Sequence, residues 1–361
     1  MYIGIPKESR PFEYRVGLSP AGVEILAQSG HQIFVEHDAG VGAGFSDQEY
    51  ERAGARIAFS AEEVFGRADL LLKIARPLKK EMEWLKEGSI LAGLLHLPSS
   101  SQDQIDILLE KKVTALAYEQ ITDASGALTV LRPFSLMCGA MVPQIAARLL
   151  QNNWGGKGIL LSGLPGVPSA EVVIIGGGVV GMSATQAMLG AGAQVTVIDK
   201  NLSVLEKIAE RFPRAVTMIS TKRNIERATA FADVVIGAVL VSGQRAPIVV
   251  TREMVRAMKP RSIIIDVSID QGGCVETSRP TTHEHPTFVE EGMVHYCVPN
   301  IPGVVARTAS HVFLNAAIPY IFEVANKGIE TAMKEFPAIE AAINIHDGKL
   351  LNLVRLNAQE E

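Results

Sequence analysis

Residues 171–199 read EVVIIGGGVVGMSATQAMLGAGAQVTVID. The apolar run Val172 to Ile175 leads straight into Gly176-Gly177-Gly178-Val179-Val180-Gly181. A helix-compatible segment, Met182 to Gly190, comes next, and a second apolar run ends in Asp199, 18 residues past Gly181. With 32 glycines in 361 residues, a bare GxGxxG arises easily by chance. The strand before it, the helix after it and the acid beyond carry the reading. Each part has a physical task. Gly176 permits the tight turn out of the strand, Gly178 lets backbone approach a pyrophosphate, and Gly181 allows helix and strand to pack closely. The helix start at Val179 and Val180 presents unpaired N–H groups to the phosphates. Asp199 can accept from both hydroxyls of an adenosine ribose and would repel a 2′-phosphate, which favours NAD over NADP. An ordinary βαβ unit with a glycine turn is the plainer alternative, and the acid at this distance argues against it.

The same alternation extends in both directions. Strand-like runs in the first third are Tyr2–Pro6, Gln32–Glu36, Asp69–Ile74, Ser89–His96 and Thr114–Tyr118. Ser46-x-x-Glu49 and Ser60-x-x-Glu63 between them have capping-box spacing. The middle third places strands near Val172–Ile175, Gln194–Asp199, Val234–Ala238, Ile263–Val267 and His295–Val298. Pro133 to Leu150 reads as a connecting helix that Pro143 would kink, and Val304 to Lys327 again has helical spacing. The pattern predicts an α/β protein of two Rossmann-like doubly wound domains with a cleft between them. Residues 1–130 with 305–361 form the expected substrate domain, and 131–304 the dinucleotide-binding domain. No pattern places the residues that follow Lys327.

Composition excludes several functions. A net charge of −5 with mixed signs offers neither a nucleic-acid surface nor a polybasic membrane patch. The N-terminus MYIGIPKESR is charged at once and lacks the apolar core of a signal peptide, and no apolar run is long enough to span a bilayer. Cys138, Cys274 and Cys297 are odd in number and show no CxxC spacing. They read as reduced thiols of a cytoplasmic protein and give no support to a metal site.

In doubly wound folds ligands sit outside the carboxyl ends of strands, which directs attention to Arg15, His96, Asp270 and Asn300. These residues carry a resemblance. IGIPKE, YRVGLSP, AGVGAGFSDQEY, LHL, GLPGVPSAEVVIIGGGVVG, IGAVLVSGQRAPIVV, DVSIDQGGCVET and VPNIPGVVARTAS run in order over residues 1–330. Together they are similar to the alanine dehydrogenase family, which shares an ancestor with the NAD-binding subunit of transhydrogenase. The resemblance implies reversible oxidative deamination of L-alanine, or another small L-amino acid, to a 2-oxo acid and ammonia with NAD. It also implies a homo-oligomer, commonly a hexamer.

The chemistry sorts the residues into roles. A planar guanidinium suits the substrate carboxylate, and Arg15 sits where the family places that group. Hydration of an imine and collapse of the carbinolamine call for a group titrating near neutrality, and His96 matches the family's acid/base histidine. Asp270 would hold the developing ammonium or a water. By resemblance Asn300 lies near the nicotinamide, Ser135 contacts the pyrophosphate, and Val239 and Leu240 line the nucleotide path. One departure stands out. Where the family reads Lys-Val-Lys-Glu-Pro, this chain has Lys73-Ile74-Ala75-Arg76-Pro77, so Ala75 takes the place of a substrate-binding lysine. If the strand continues with period two, Lys73 shares the face of Ala75 and could reach forward, while Arg76 points away. Cys138-Gly139-Ala140, Pro143, Ser242 and Ala306 depart from the pattern as well. Two other functions stay open: reductive coupling of a 2-oxo acid with a larger amine, as in opine-type synthases, and a non-catalytic transhydrogenase-like NAD-binding subunit.

Overall fold

The computed structural model describes residues 1–241 and 245–353, which leaves Ser242 outside the described residues. The chain forms two compact units, Met1–Phe134 with Gly303–Glu361, and Ser135–Pro302.

The first unit is built on β1 (Tyr2–Ile5), β2 (Gln32–Glu36), β3 (Arg56–Ala58), β4 (Leu70–Ala75), β5 (Ile90–Leu94) and β6 (Thr114–Ala117). The second carries β7 (Glu171–Ile175), β8 (Gln194–Asp199), β9 (Val216–Ile219), β10 (Val234–Gly237), β11 (Ile263–Asp266), β12 (Thr287–Glu290) and β13 (Met293–Tyr296). Two last strands, β14 (Ile343–His346) and β15 (Lys349–Leu350), return to the first sheet. Among the described residues the first sheet has the order β15-β14-β6-β5-β4-β1-β2-β3, and the second the order β12-β13-β11-β10-β7-β8-β9. Both are parallel except at one edge, where β14 runs antiparallel to β6 and to β15, and β12 antiparallel to β13. Each is a doubly wound α/β sheet whose parallel strands reverse order once, between β1 and β4 in the first and between β7 and β10 in the second. No helix among the described residues is long and apolar enough to cross a membrane.

The central strands are the ones that hydrophobic runs reveal. Every residue of β5, β6, β10 and β11 is buried, as expected for parallel strands covered on both faces. Edge strands β3 and β9 are short and partly exposed, so no apolar run marks them. The β12–β13 and β14–β15 hairpins turn on Glu291-Gly292 and Asp347-Gly348, all four residues having positive φ. That is the signature of two-residue hairpin loops, and it gives the segment after Lys327 its place.

Local signals hold in detail. Ser46 and Glu49 form a reciprocal capping box: the Glu49 amide donates to Ser46 Oγ, and the Ser46 amide to Glu49 Oε2 at 2.6 Å. Ser60 caps Glu63 one way only, because the Glu63 carboxylate pairs with Arg67 at 3.1 Å. The connecting helix spans Leu131–Leu149 and runs through Pro143. Ala306 is the buried first residue of the helix Ala306–Lys327.

One irregularity positions later chemistry. The register of β4 against β5 shifts between Leu72 and Ala75, a bulge around Lys73 and Ile74. A bulge breaks the alternation of faces, so the period-two argument placing Lys73 beside Ala75 does not apply. Neighbouring backbones press on this bulge where glycine permits. A Cβ at Gly17 would stand 2.2 Å from the Leu72 carbonyl oxygen, and one at Gly93 2.9 Å from that of Lys73. Gly17→Ala should therefore destabilise the fold by about 1–3 kcal/mol, read as a lowered melting temperature. An unchanged melting temperature would show that the contact yields freely.

Candidate active site

In the second unit the glycine cradle lies at the sheet's reversal point. Gly176, just after β7, has φ +101, and a Cβ there would sit 2.3 Å from the carbonyl oxygen of Ala238, just after β10. A Cβ on Gly181 would come within 1.8 Å of the Gly176 carbonyl oxygen, so the helix Val179–Gly190 lies directly on the turn. Gly178, the N-cap of that helix, is different, because a Cβ there would meet nothing within 4 Å. Its bare backbone borders open space at a helix start whose first N–H groups have no intrahelical acceptor. A pyrophosphate fits that cradle. Asp199 ends β8 with both carboxylate oxygens already anchored: Oδ2 accepts from the Gly177 amide at 2.7 Å and Oδ1 from the Asn201 amide at 2.8 Å. Each oxygen keeps a second lone pair for a ribose hydroxyl.

The surrounding residues are fixed by the same close approaches. Gly139 lets the helix Leu131–Leu149 approach the Val179–Gly190 helix, since a Cβ there would stand 2.5 Å from the Val180 carbonyl oxygen. Ser183 Oγ donates to the Leu136 carbonyl at 2.6 Å, which holds the half-buried Ser135 segment alongside the helix start. The Val239 amide donates to Ser268 Oγ at 2.9 Å, and Leu240 is exposed.

Asp270 and Asn300 meet in this unit. Asp270 is exposed on the turn Val267–Gln271 and accepts from the Asn300 amide at 3.2 Å, while Asn300 has the left-handed φ of 53. The turn is hung from Asp266, a buried acid that the sequence reading missed. Asp266 Oδ1 accepts from the Ser268 amide at 3.1 Å, and Oδ2 from those of Cys274 and Val275 at 2.9 and 3.1 Å. Burial raises the Asp266 carboxyl, with these bonds opposing. Burial and the adjacent Asp266 push the Cys274 thiol well up, so it is not a nucleophile.

In the first unit the charges cluster at the other reversal point, where β1 and β4 end. Arg15 is 4% exposed, and Glu13 grips it: Arg15 Nε and Nη2 donate to the two Glu13 oxygens at 2.6 and 2.5 Å. Its guanidinium also stands 5.1 Å from the centre of the Phe134 ring. Arg15 was expected as a loop cation, and the structure gives it a buried, pre-oriented form. Lys73 requires a correction. It is 1% exposed, with Nζ facing Glu8 at 3.2 Å and Glu81 at 3.8 Å, under the Phe65 ring. The bulge directs it into the core beside those two carboxylates, and not forward along the face of Ala75. Glu8 also accepts from the Ile74 amide at 2.7 Å. Burial outweighs Lys73 and raises the Glu8 carboxyl.

His96 follows β5 with φ 44 and ψ 43, a left-handed backbone that costs a non-glycine residue about 1–2 kcal/mol. Its side chain is 60% exposed, with Nδ1 3.9 Å from Glu119 Oε1. The His96 amide donates to Glu119 Oε1 at 2.6 Å. Glu119 was not singled out in the sequence, because nothing local links it to His96 across 23 residues.

Two doubly wound α/β units, one with a dinucleotide cradle and the other with a buried arginine and an exposed histidine at strand ends, define a nucleotide-dependent enzyme class. Comparison with known proteins makes this specific. Residues 4–138 match the family "Alanine dehydrogenase/PNT, N-terminal domain", and residues 142–353 match its C-terminal domain. The chain belongs to the alanine dehydrogenase/PNT family. It is 45% identical to an alanine dehydrogenase of Halomonas elongata over 97% of this chain and 94% of that one. The alanine dehydrogenase of Mycobacterium tuberculosis is 41% identical over 98% and 95%. A solved L-alanine dehydrogenase superposes with TM-score 0.94 at 41% identity, covering 97% of each chain. A transhydrogenase structure from Sinorhizobium meliloti gives 0.84 at 26% identity over 97% of this chain and 99% of that one.

The open face of Gly178 allows a sharp test. Gly178→Ala should fold with an unchanged melting temperature yet weaken NADH binding by about tenfold or more, the equivalent of about 1.4 kcal/mol, as read by nucleotide fluorescence. Equal binding would remove the cradle from the cofactor site. Glu8 yields a pH test. A raised carboxyl pKa contributes stability that is complete below the ordinary value and is lost as pH rises through the raised one. As pH rises above the ordinary carboxylate value of about 4, the melting temperature should therefore fall more in the wild type than in Glu8→Gln. Parallel curves would show that Glu8 does not titrate in this range.

Proposed function

We propose that this chain catalyses the reversible NAD-dependent oxidative deamination of L-alanine to pyruvate and ammonia. The observation that carries the reading is the glycine cradle with its anchored Asp199, in a chain more than 40% identical to alanine dehydrogenases along nearly its whole length. Gly176, Gly178, Val179, Val180, Gly181 and Asp199 would hold NAD, with Ser135, Val239, Leu240 and Asn300 as further contacts. The anchored carboxylate supports NAD over a 2′-phosphorylated dinucleotide. Bound there, NAD supplies the hydride acceptor.

The chain's own residues supply the rest. Arg15 binds the substrate carboxylate. Glu13 takes two of its five N–H groups and fixes the plane of the fork, which leaves donors for an anion. His96 works on the imine. It accepts a proton from water as the water's oxygen bonds to the iminium carbon, returns that proton to nitrogen, and takes the hydroxyl proton as the C–N bond breaks and the carbonyl forms. Its exposed ring supports this exchange. Asp270 balances the positive charge on the substrate nitrogen, oriented by the Asn300 amide. The reading carries with it a cytoplasmic homo-oligomer.

The deciding assay is the initial rate of NADH oxidation with pyruvate and saturating ammonium. An ammonium-dependent rate is expected, and His96→Ala should lose roughly 100-fold or more of it while NADH affinity stays unchanged. No ammonium-dependent rate, with NADH still bound, would overturn the reading and direct attention to larger amines and other 2-oxo acids.

A further inference from the structure

His96 stands past the carboxyl end of β5, and β5 lies between β4 and β6 in the first sheet. Each flanking strand is followed by a charged residue that reaches the His96 backbone. After β4, Arg76 Nη1 donates to the His96 carbonyl at 2.9 Å and to Ser100 Oγ at 2.5 Å. After β6, Glu119 accepts from the amides of His96 and Leu95 at 2.6 and 3.0 Å. Ser99 Oγ adds a bond to the same carbonyl at 2.9 Å. Arg76 is itself tethered, its carbonyl accepting from Arg10 Nε at 3.0 Å. Both polar groups of one residue's backbone are thus held by opposite charges from opposite sides. Charge-assisted bonds are the strong kind, and here they hold a conformation that costs an L-residue about 1–2 kcal/mol.

We propose that Arg76 is a positioning residue for His96. With Glu119 it clamps the left-handed backbone from which the imidazole projects, so that the ring is held where proton transfer requires it. The inference rests on the acid/base reading of His96 given above. Its other support is the charge of the two clamping residues, since a cation suits a carbonyl and an anion suits an amide. Reversing either charge would leave a dipole facing a like pole.

Arg76→Met keeps the stem and removes every donor, Arg76→Lys restores a cationic donor, and Glu119→Gln keeps shape without charge. Three quantities are read on the full chain: kcat and KM with pyruvate and ammonium, NADH affinity by fluorescence, and hydrogen exchange in peptides covering residues 94–101. Arg76→Met should lower kcat about tenfold or more, with KM and NADH affinity within about twofold, and speed exchange at residues 95–100. Arg76→Lys should recover most of kcat. An unchanged kcat in Arg76→Met, or a lost kcat with unchanged exchange, would overturn the proposal. Should Arg76→Met fail to fold, Glu119→Gln decides in the same way. His96→Ala is measured alongside. If it turns over like the wild type, the acid/base reading fails, whereas the exchange data still decide whether the clamp exists.

Discussion

A parallel strand buried on both faces cannot hold chemistry along its length. Every side chain of β5 or β10 is surrounded by core, so polar groups that must meet a ligand are confined to strand ends. In a doubly wound sheet the neighbouring connections diverge where the order reverses, and the carboxyl ends there stand uncovered. Both units obey this constraint. The glycine cradle follows β7 beside β10, and the Glu8–Lys73 pair lies where β1 and β4 end. His96 and Asp270 follow β5 and β11 in the same way.

At those ends, function depends on how closely backbones approach. Gly181 against Gly176, Gly176 against Ala238, and Gly139 against Val180 are contacts that any side chain would separate. They hold the helix start and the turn in one arrangement before a ligand arrives. Gly178 differs in kind, because its missing side chain leaves space and not contact. The same motif therefore contains glycines whose neighbours leave no room for a side chain and one, Gly178, that faces open space, and substitution to alanine separates the two kinds.

Much of this was legible in the sequence, and the remainder was hidden for physical reasons. Long buried strands and the Asp199 spacing follow from periodicity and local turn chemistry. Short edge strands such as β9 bury too little to leave a pattern. Lys73 was misplaced because a bulge depends on pairing with β5, which no local pattern in β4 reveals. Glu119 went unread, and Arg76 was read only as pointing away from Ala75, for a related reason. They meet His96 only because β4, β5 and β6 are neighbours in the sheet, and their sequence separations of 23 and 20 residues carry no period.

The charge at the first sheet's reversal point bears on how a substrate carboxylate would be bound in the proposed role of Arg15. Arg15 and Lys73 are both buried, and each is already balanced, by Glu13 and by Glu8 with Glu81. An anion arriving there would meet no large unpaired field, and an isolated buried cation would have cost far more to fold than a paired one. Recognition would rest instead on geometry. Glu13 holds the guanidinium plane fixed, so its remaining donors lose little freedom when they bind. Ala75, half-buried just beyond the bulge, adds no further cation. On the proposed role of Arg15, what an anion would meet at this site is the fixed direction of one fork, with a paired and not a bare charge behind it.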